Sequence, residues 1–353
     1  MTRDETPTPV PAAAPIGRVE RRGVRLPRPN AIVTQPLRPG TDLPLLARPA
    51  SPGADPVACA AEQRTAIGDL LLRHGAILFR GFGFDGVETF SRFIQALSGD
   101  LLEYRYRSTP RSEVGAGIYT STEYPASEEI PPHNENSYAA IWPMKLFFFC
   151  ELPAAEGGMT PIADSHRVHE RIAPDVRARF AAKGVAYVRN YGGGADLPWE
   201  QVFLTDDRGA VEEFCRHAGI EFEWRQDGRL RTRQVCQATA VHPRTGRPLW
   251  FNQAHLFHYS SLAPDVREAL LEVFGEEDLP RNATFGDGAP IPLADLEAVR
   301  AAYRQELVAF PWQRGDVLLL DNMAVAHART PYSGERRLRV GMTEPVDGRE
   351  LSL

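Results

Sequence analysis

The sequence predicts a mainly β protein with helical insertions, folded as a distorted double-stranded β-helix of the jelly-roll, cupin-like kind. Two observations carry this expectation. Many short runs of β-branched and aromatic residues, bounded by Gly, Pro, Asn and Asp, recur along the 353 residues, with only short helical patterns between them. A two-part set of metal-ligating residue types also sits on the predicted strands, His133 with Glu135 and, far along the chain, His327. Residues 1–29, rich in Pro and Ala, bury little and are expected as a flexible N-terminal arm; residues 30–353 are long enough for one large β-rich catalytic domain, the expectation adopted, or two smaller ones.

The elements follow in order. Compact structure is expected from Ala31-Ile32-Val33. Asp55-Pro56 signals a helix start, with Val57, Ala60, Ala61, Ile67, Leu70 and Leu71 at helical spacing and Gly75 as its stop. Ala76–Phe79 reads as a buried strand. Asp85 is expected to cap a second helix with Phe90, Phe93, Ile94 and Leu97 on its apolar face, ending at Gly99. The polar, aromatic stretch from Tyr104 to Tyr124 (Tyr106, Arg107, Ser108, Thr109, Arg111, Tyr119, Thr120, Thr122) fits strands and loops lining a wet cavity. Leu146 to Cys150 is apolar without alternation, as in a strand covered on both faces. Gly157-Gly158 allows a turn with positive φ, after which Thr160 is expected on a strand. Further helices are expected at Pro174–Lys183, Glu212–His217, Pro264–Phe274 and Leu293–Gln305, with a hairpin around Asp227-Gly228.

Composition removes several function classes. The formal net charge is −6 and no long basic run occurs, which disfavours nucleic acid. Cys59, Cys150, Cys215 and Cys236 are widely spaced, so neither a zinc knuckle nor a disulfide framework is indicated. No apolar stretch approaches the roughly 18 residues that span a bilayer, and the N-terminus lacks a signal-peptide core. A cytoplasmic protein with no membrane or nucleic-acid partner is expected.

The chemistry centres on Pro131-Pro132-His133-Asn134-Glu135-Asn136-Ser137-Tyr138. On an extended backbone His133 and Glu135 point to one side, because strand side chains alternate. A third ligand is expected from His327, delivered by the strand and turn Gly315–Asn322. Two histidines and a carboxylate on one face of an ion, with the opposite positions open, suit ferrous iron that also binds a co-substrate and dioxygen. His255 and His258, in Trp250–His258, are either ligands or hydrogen-bonding groups of the cavity wall, with His327 the better third ligand. His166 and His169 read as surface residues. Asn136, Tyr138, Asn252, Gln253 and His255 are candidate substrate contacts.

Such a ligand set also fits a zinc-dependent hydrolase or a non-catalytic cupin-like metal binder. The arginines of Glu335-Arg336-Arg337-Leu338-Arg339-Val340 separate these readings. A guanidinium fork matches a carboxylate and stays charged when buried, so an arginine one strand past the distal histidine can anchor a dicarboxylic co-substrate. Arg337 is taken as that anchor, and an exposed place on an edge strand is expected to suit Arg336 or Arg339 better.

With these residues in view, the chain resembles the iron(II)/2-oxoglutarate dioxygenases of the taurine dioxygenase (TauD/TfdA) and clavaminate-synthase-like superfamily, closest to the SyrP-type branch. The resemblance runs from about Gly75 to Thr343. It rests on Gly75-Ala76-Ile77-Leu78-Phe79-Arg80-Gly81-Phe82, His133-Asn134-Glu135, Gly157-Gly158-Met159-Thr160-Pro161, Trp250-Phe251-Asn252-Gln253, Asp321-Asn322 with His327, and Arg336-Arg337. It implies His133, Glu135 and His327 as Fe(II) ligands and Thr160 and Arg337 as 2-oxoglutarate contacts. It further implies that 2-oxoglutarate chelates Fe(II), that dioxygen is the second co-substrate, and that decarboxylation to succinate drives hydroxylation of an unactivated C–H bond. Glu135 stands where the superfamily more often has Asp. Halogenases of the class have a small residue there, so Glu135 argues against halogenation. Gly341 replaces the arginine that taurine dioxygenase carries four residues beyond its anchor, which argues against a sulfonate substrate. The branch implies an amino-acid-like substrate, free or carried on a peptide-synthetase thiolation domain, in secondary-metabolite (antibiotic) biosynthesis.

Overall fold

The long strand Ile141–Leu152 lies at the centre of the molecule, and its side chains leave alternately to two different cores. Phe147 and Phe149 point to one side, where they meet the helices Pro56–His74 and Val87–Ser98. Leu146, Phe148 and Cys150 point to the other, into the space between two sheets. The unbroken apolar run is thus explained by cover on both faces.

The computed structural model describes residues 31–102, 111–115, 117–122, 124–194 and 196–351. The expected arm at 1–29 and the cavity-lining residues Tyr106, Arg107, Ser108 and Thr109 lie outside the described residues. Among the described residues a major sheet of eight strands has the order Ile32–Arg38, Thr41–Pro49, Ala76–Phe79, Val317–Asp321, Ile141–Leu152, Arg337–Asp347, Ile118–Thr120, Glu113–Gly115. Its pairs are antiparallel except Thr41–Pro49 with Ala76–Phe79. A minor sheet of three strands, Ile130–His133, Val325–Arg329 and Ile162–Asp164, packs across the second core. Phe148 of the major sheet meets His327 of the minor one at 5.1 Å between ring centroids. Two sheets face to face over one core give the expected jelly-roll arrangement.

The other face of the minor sheet, marked by Ala163 and Ala326, is covered by a third unit. There the strands Glu221–Trp224, Leu230–Cys236, Val185–Tyr191 and Arg281–Phe285 form a sheet packed with the helices Pro174–Lys183, Arg208–Ala218 and Leu293–Glu306. The hairpin around Asp227-Gly228 is as expected.

Local signals act as read at the first helix: the Asp55 carboxylate accepts from Val57 N–H, and Gly75 at φ 72° donates to Leu71 O. The second helix starts later than expected, at Val87, and Asp85 instead accepts from the Thr89 hydroxyl. No helix among the described residues is long and apolar enough to cross a membrane. Cys59, Cys150, Cys215 and Cys236 are free and buried.

Candidate metal and co-substrate site

His133 and His327 stand directly opposite one another in the minor sheet, with ring centroids 4.3 Å apart. Glu135 completes the group, and donor atoms of the three side chains lie within 4.8 Å of one another. The strand does not extend to Glu135, contrary to expectation. It stops at His133, and Glu135 sits in the turn that follows, with Asn136 in the left-handed region at φ 56°. Side chains therefore replace the ladder that would have aligned the pair. Asn322 Oδ1 accepts from Glu135 N–H at 2.8 Å, while its Nδ2 donates to Glu135 O at 2.9 Å and Pro143 O at 2.8 Å. Asn134 Nδ2 donates to Asn322 O at 2.6 Å and Ser165 Oγ at 3.1 Å. Asn134 O in turn accepts from Gln253 Nε2 at 2.7 Å and Ser137 Oγ at 3.0 Å. Asp321 Oδ1 closes the next turn by accepting from Met323 N–H and Ala324 N–H, and Oδ2 accepts from His242 at 3.0 Å.

The arginine end is one residue out of register with the sequence expectation. Arg337 does not face the inter-sheet space. Its side chain is 41% exposed and lies beside Glu335 at 3.4 Å and Glu151 at 4.0 Å. Arg336 faces inward instead: its Nε donates to Gly158 O at 3.0 Å and its Nη1 to Ser121 Oγ at 3.2 Å. The reason is strand parity. Leu338, Val340 and Met342 line the second core, and Arg336 shares their face. Burying each such side chain is worth roughly 1.5–3 kcal/mol, and a one-residue slip would exchange all three for Arg337, Arg339 and Gly341. Gly341 accordingly faces Ile94, Leu101 and Ile118 on the helix side. The position four beyond Arg336 is Val340, which is buried.

Thr160 is buried, though in a loop before Ile162 rather than on a strand, and its Oγ1 accepts from Trp312 Nε1 at 3.1 Å. Gly157 and Gly158 take positive φ, 68° and 62°, as expected. Arg329, two residues after His327, escaped the sequence reading. It is buried and donates to Tyr124 O at 3.0 Å, Pro125 O at 2.6 Å and Glu128 O at 2.8 Å, tying down the segment that leads into the metal strand.

Of the candidate substrate contacts, four are engaged in holding the fold. Tyr138 packs against the rings of Tyr187 and Phe257. Asn252 donates to Ala238 O and caps Ala254 N–H. Gln253 supports Asn134, and His255 donates to Pro132 O at 2.9 Å. Asn136 differs, because its Oδ1 is buried and has no hydrogen-bond partner among the described residues. His258 accepts from Ser260 N–H, and His166 donates to Pro248 O; neither reaches the cluster.

Residues 35–342 match the family model for the taurine catabolism dioxygenase TauD, TfdA family. The chain belongs to that family. It is a 2-oxoglutarate-dependent dioxygenase, with iron(II), 2-oxoglutarate and dioxygen as its cofactor and co-substrates. The dapdiamide synthesis protein DdaC of Enterobacter agglomerans is 43% identical over 280 residues, covering 79% of this chain and 85% of that protein. A clavaminate synthase-like protein of Arabidopsis thaliana is 34% identical over 288 residues, 78% and 83% of the two chains. PvcB, an Fe, alpha-ketoglutarate-dependent oxygenase from an isonitrile synthetic pathway, shares the fold at a TM-score of 0.54 with 16% identity, covering 91% of this chain and 96% of that one.

The cluster in this dioxygenase fits a divalent ion by its protonation as well as its geometry. Burial above all pushes His133 down, against an upward pull from Glu135, and pushes His327 well below the usual histidine range, helped by the neighbouring His133 and the Arg111 guanidinium. Both imidazoles are therefore neutral at physiological pH, the form in which a histidine can bind a metal. His133 Nδ1–H donates to Pro131 O at 2.9 Å, which leaves Nε2 with its lone pair. Burial also lowers Arg336, with help from Arg329, only to about 10, so it stays cationic at neutral pH.

Proposed function

We propose that this dioxygenase hydroxylates an unactivated C–H bond of an amino acid or amino-acid-derived small molecule in secondary-metabolite biosynthesis. The observation that carries the reading is the convergence of His133, Glu135 and His327 from two strands and a turn into one buried cluster. These three side chains would hold iron(II), leaving one face of the ion for co-substrates. Bound there, iron(II) with 2-oxoglutarate and dioxygen supplies the oxidising chemistry, converting the co-substrate to succinate and carbon dioxide while oxygen is inserted into the substrate.

The protein's part is to position and desolvate. Arg336, cationic and inward-facing beside Gly158, is the group suited to the distal carboxylate of 2-oxoglutarate, in place of Arg337. Thr160, close by in sequence to Gly158, offers a buried hydroxyl to the same carboxylate. Asn136, next to Glu135, carries a buried carboxamide oxygen with no hydrogen-bond partner among the described residues, and is the one expected substrate contact not engaged in holding the fold. The biosynthetic setting is supported by the 43% identity to a dapdiamide synthesis protein. A substrate tethered to a peptide-synthetase thiolation domain is one form of this proposal, and a free amino acid is the other. Four buried free thiols agree with a cytoplasmic enzyme, and residues 30–353 are proposed as one catalytic domain.

The test is anaerobic addition of Fe(II) and 2-oxoglutarate, which should give the weak metal-to-ligand charge-transfer absorbance. Oxygen should then yield succinate, coupled to product when free and carrier-tethered amino acids are screened. No absorbance band, with hydrolysis on zinc instead, would sink the reading.

A further inference from the structure

We infer that Arg111 is a positioning residue for the metal centre: its guanidinium holds the Glu135 carboxylate to one-oxygen coordination, keeping the open face of the ion free. The inference rests on the assignment of His133, Glu135 and His327 as metal ligands. Arg111 Nη2 donates to Glu135 Oε2 at 2.7 Å, with the two side chains only 3% and 4% exposed. At that depth water does not compete for the carboxylate, and a charge-assisted hydrogen bond of this length is among the stronger contacts available.

The need for such a brace follows from the ligand itself. Six positions surround an octahedral ion; three go to protein, two to a chelating 2-oxoglutarate and one to dioxygen, leaving none spare. A carboxylate can bind a cation through one oxygen or both. Glutamate has one more methylene than aspartate, hence one more torsion with which to turn its second oxygen onto the ion. That second contact would close a position the co-substrates require. In this protein the two ends of Glu135 are held separately. Asn322 grips its backbone N–H and carbonyl, and Arg111 occupies Oε2. Oε2 also lies 4.0 Å from His327 Nε2, so the braced oxygen is at the metal cluster and not turned away from it. The guanidinium comes from the entry to the edge strand Glu113–Gly115 of the major sheet, whereas Glu135 follows a strand of the minor sheet. The contact thus joins the two walls at the ligand. Its charge also repels a cation from the oxygen it holds, which disfavours two-oxygen binding further.

The experiment compares wild type, Arg111→Met and Arg111→Lys, each loaded with Co(II) under nitrogen. Three quantities are read: the visible Co(II) bands before co-substrate, the affinity for 2-oxoglutarate at saturating metal, and the melting temperature of the metal-free protein. Arg111→Met should shift the Co(II) bands and weaken 2-oxoglutarate at least ten-fold; Arg111→Lys, with charge but no fork, should recover part of that loss. If Arg111→Met does not fold, Arg111→Lys alone decides, by a band shift with weakened co-substrate. Unchanged Co(II) bands with 2-oxoglutarate affinity within two-fold of wild type would overturn the proposal. So would a fall in melting temperature with no other change, since that marks a structural tie only. A wild type that gives no Co(II) bands would instead remove the metal-ligand assignment beneath it.

Discussion

The metal end of the site is built where a strand stops, and the arginine end where a strand begins. After His133 the minor-sheet strand gives out, and the backbone of Asn134 and Glu135 is held by side chains: Asn322, Gln253 and Ser137. Arg336 directly precedes the strand Arg337–Asp347 and continues the alternation of Leu338, Val340 and Met342, although the pairing with Ile141–Leu152 is irregular between Arg337 and Leu338. The difference has a physical consequence. Side-chain clamps fix a position through a few buried polar contacts, each of which fails alone. Parity fixes it through many apolar contacts that fail only together.

The largest expected effects come from the ligands. His133→Ala, Glu135→Ala or His327→Ala should each remove measurable Co(II) binding and turnover, because each takes away one of three protein ligands. A His327→Ala variant with wild-type metal affinity would show that the metal end is not assembled across the two facing strands.

Next is Arg336→Ala, which on the proposed assignment would leave the distal carboxylate of 2-oxoglutarate buried without its partner. Breaking such a pair costs roughly 3–5 kcal/mol, or about two to four powers of ten in affinity. Metal binding should hardly change. Titration of 2-oxoglutarate into the Fe(II)-loaded variant under nitrogen reads both, and an unchanged affinity would break the arginine half of the comparison.

Much of this was legible in the chain. The helix from Pro56 to His74, the hairpin at Asp227-Gly228 and the doubly covered strand follow from caps, turn residues and apolar runs. His133 and Glu135 were legible by residue type, but a turn brings them together and not strand alternation, since Asn136 at φ 56° ends the extended stretch. The orientation of the arginines differs from expectation by one position although the signal was present: Leu338, Val340 and Met342 share parity with Arg336, while Arg339 and Gly341 share it with Arg337. Arg111 was legible only as part of a cavity-lining stretch, Asn322 only within the Asp321-Asn322 motif, and Arg329 not at all. Their partners lie on other segments of the chain, and long-range pairing of polar groups has no periodicity to betray it.

Asn322→Ala tests the clamp. It removes a donor and an acceptor that together satisfy Glu135 N–H, Glu135 O and Pro143 O. Buried groups left unsatisfied cost roughly 1–3 kcal/mol each, and loss of such support for a ligand typically weakens metal about 10–100-fold. Thermal melting of the metal-free protein and Co(II) titration should both move. Movement of neither would mean that the turn holds itself.

The buried histidines around the metal strand give a pH test. Burial, foremost, pushes His255 down to about 3 and His258 to about 4, from an ordinary 6.5. The unfolded chain therefore takes protons that the native state refuses, so stability is lost as pH falls below about 6.5. For His255 alone the loss at pH 4.5 is about 2–3 kcal/mol. His255→Gln keeps a donor for Pro132 O and should flatten the acid side of the stability profile by about one proton. An unaltered slope would mean that His255 is not held neutral in the fold.

The smallest effect is expected at Arg337, and it completes the comparison. Its partners Glu335 and Glu151 lie at 3.4 and 4.0 Å, and its side chain is 41% exposed. Exposed pairs of this kind contribute roughly 0–1 kcal/mol, reduced further by salt. Arg337→Ala should therefore shift the melting temperature by no more than a few degrees and leave 2-oxoglutarate affinity within about two-fold. The neighbouring variants Arg336→Ala and Arg337→Ala remove the same functional group at adjacent positions, so a difference between them reports orientation alone. If Arg337→Ala weakened the co-substrate and Arg336→Ala did not, the strand would have to be rotated by one residue. That rotation would also turn Leu338, Val340 and Met342 out of the core that they now fill.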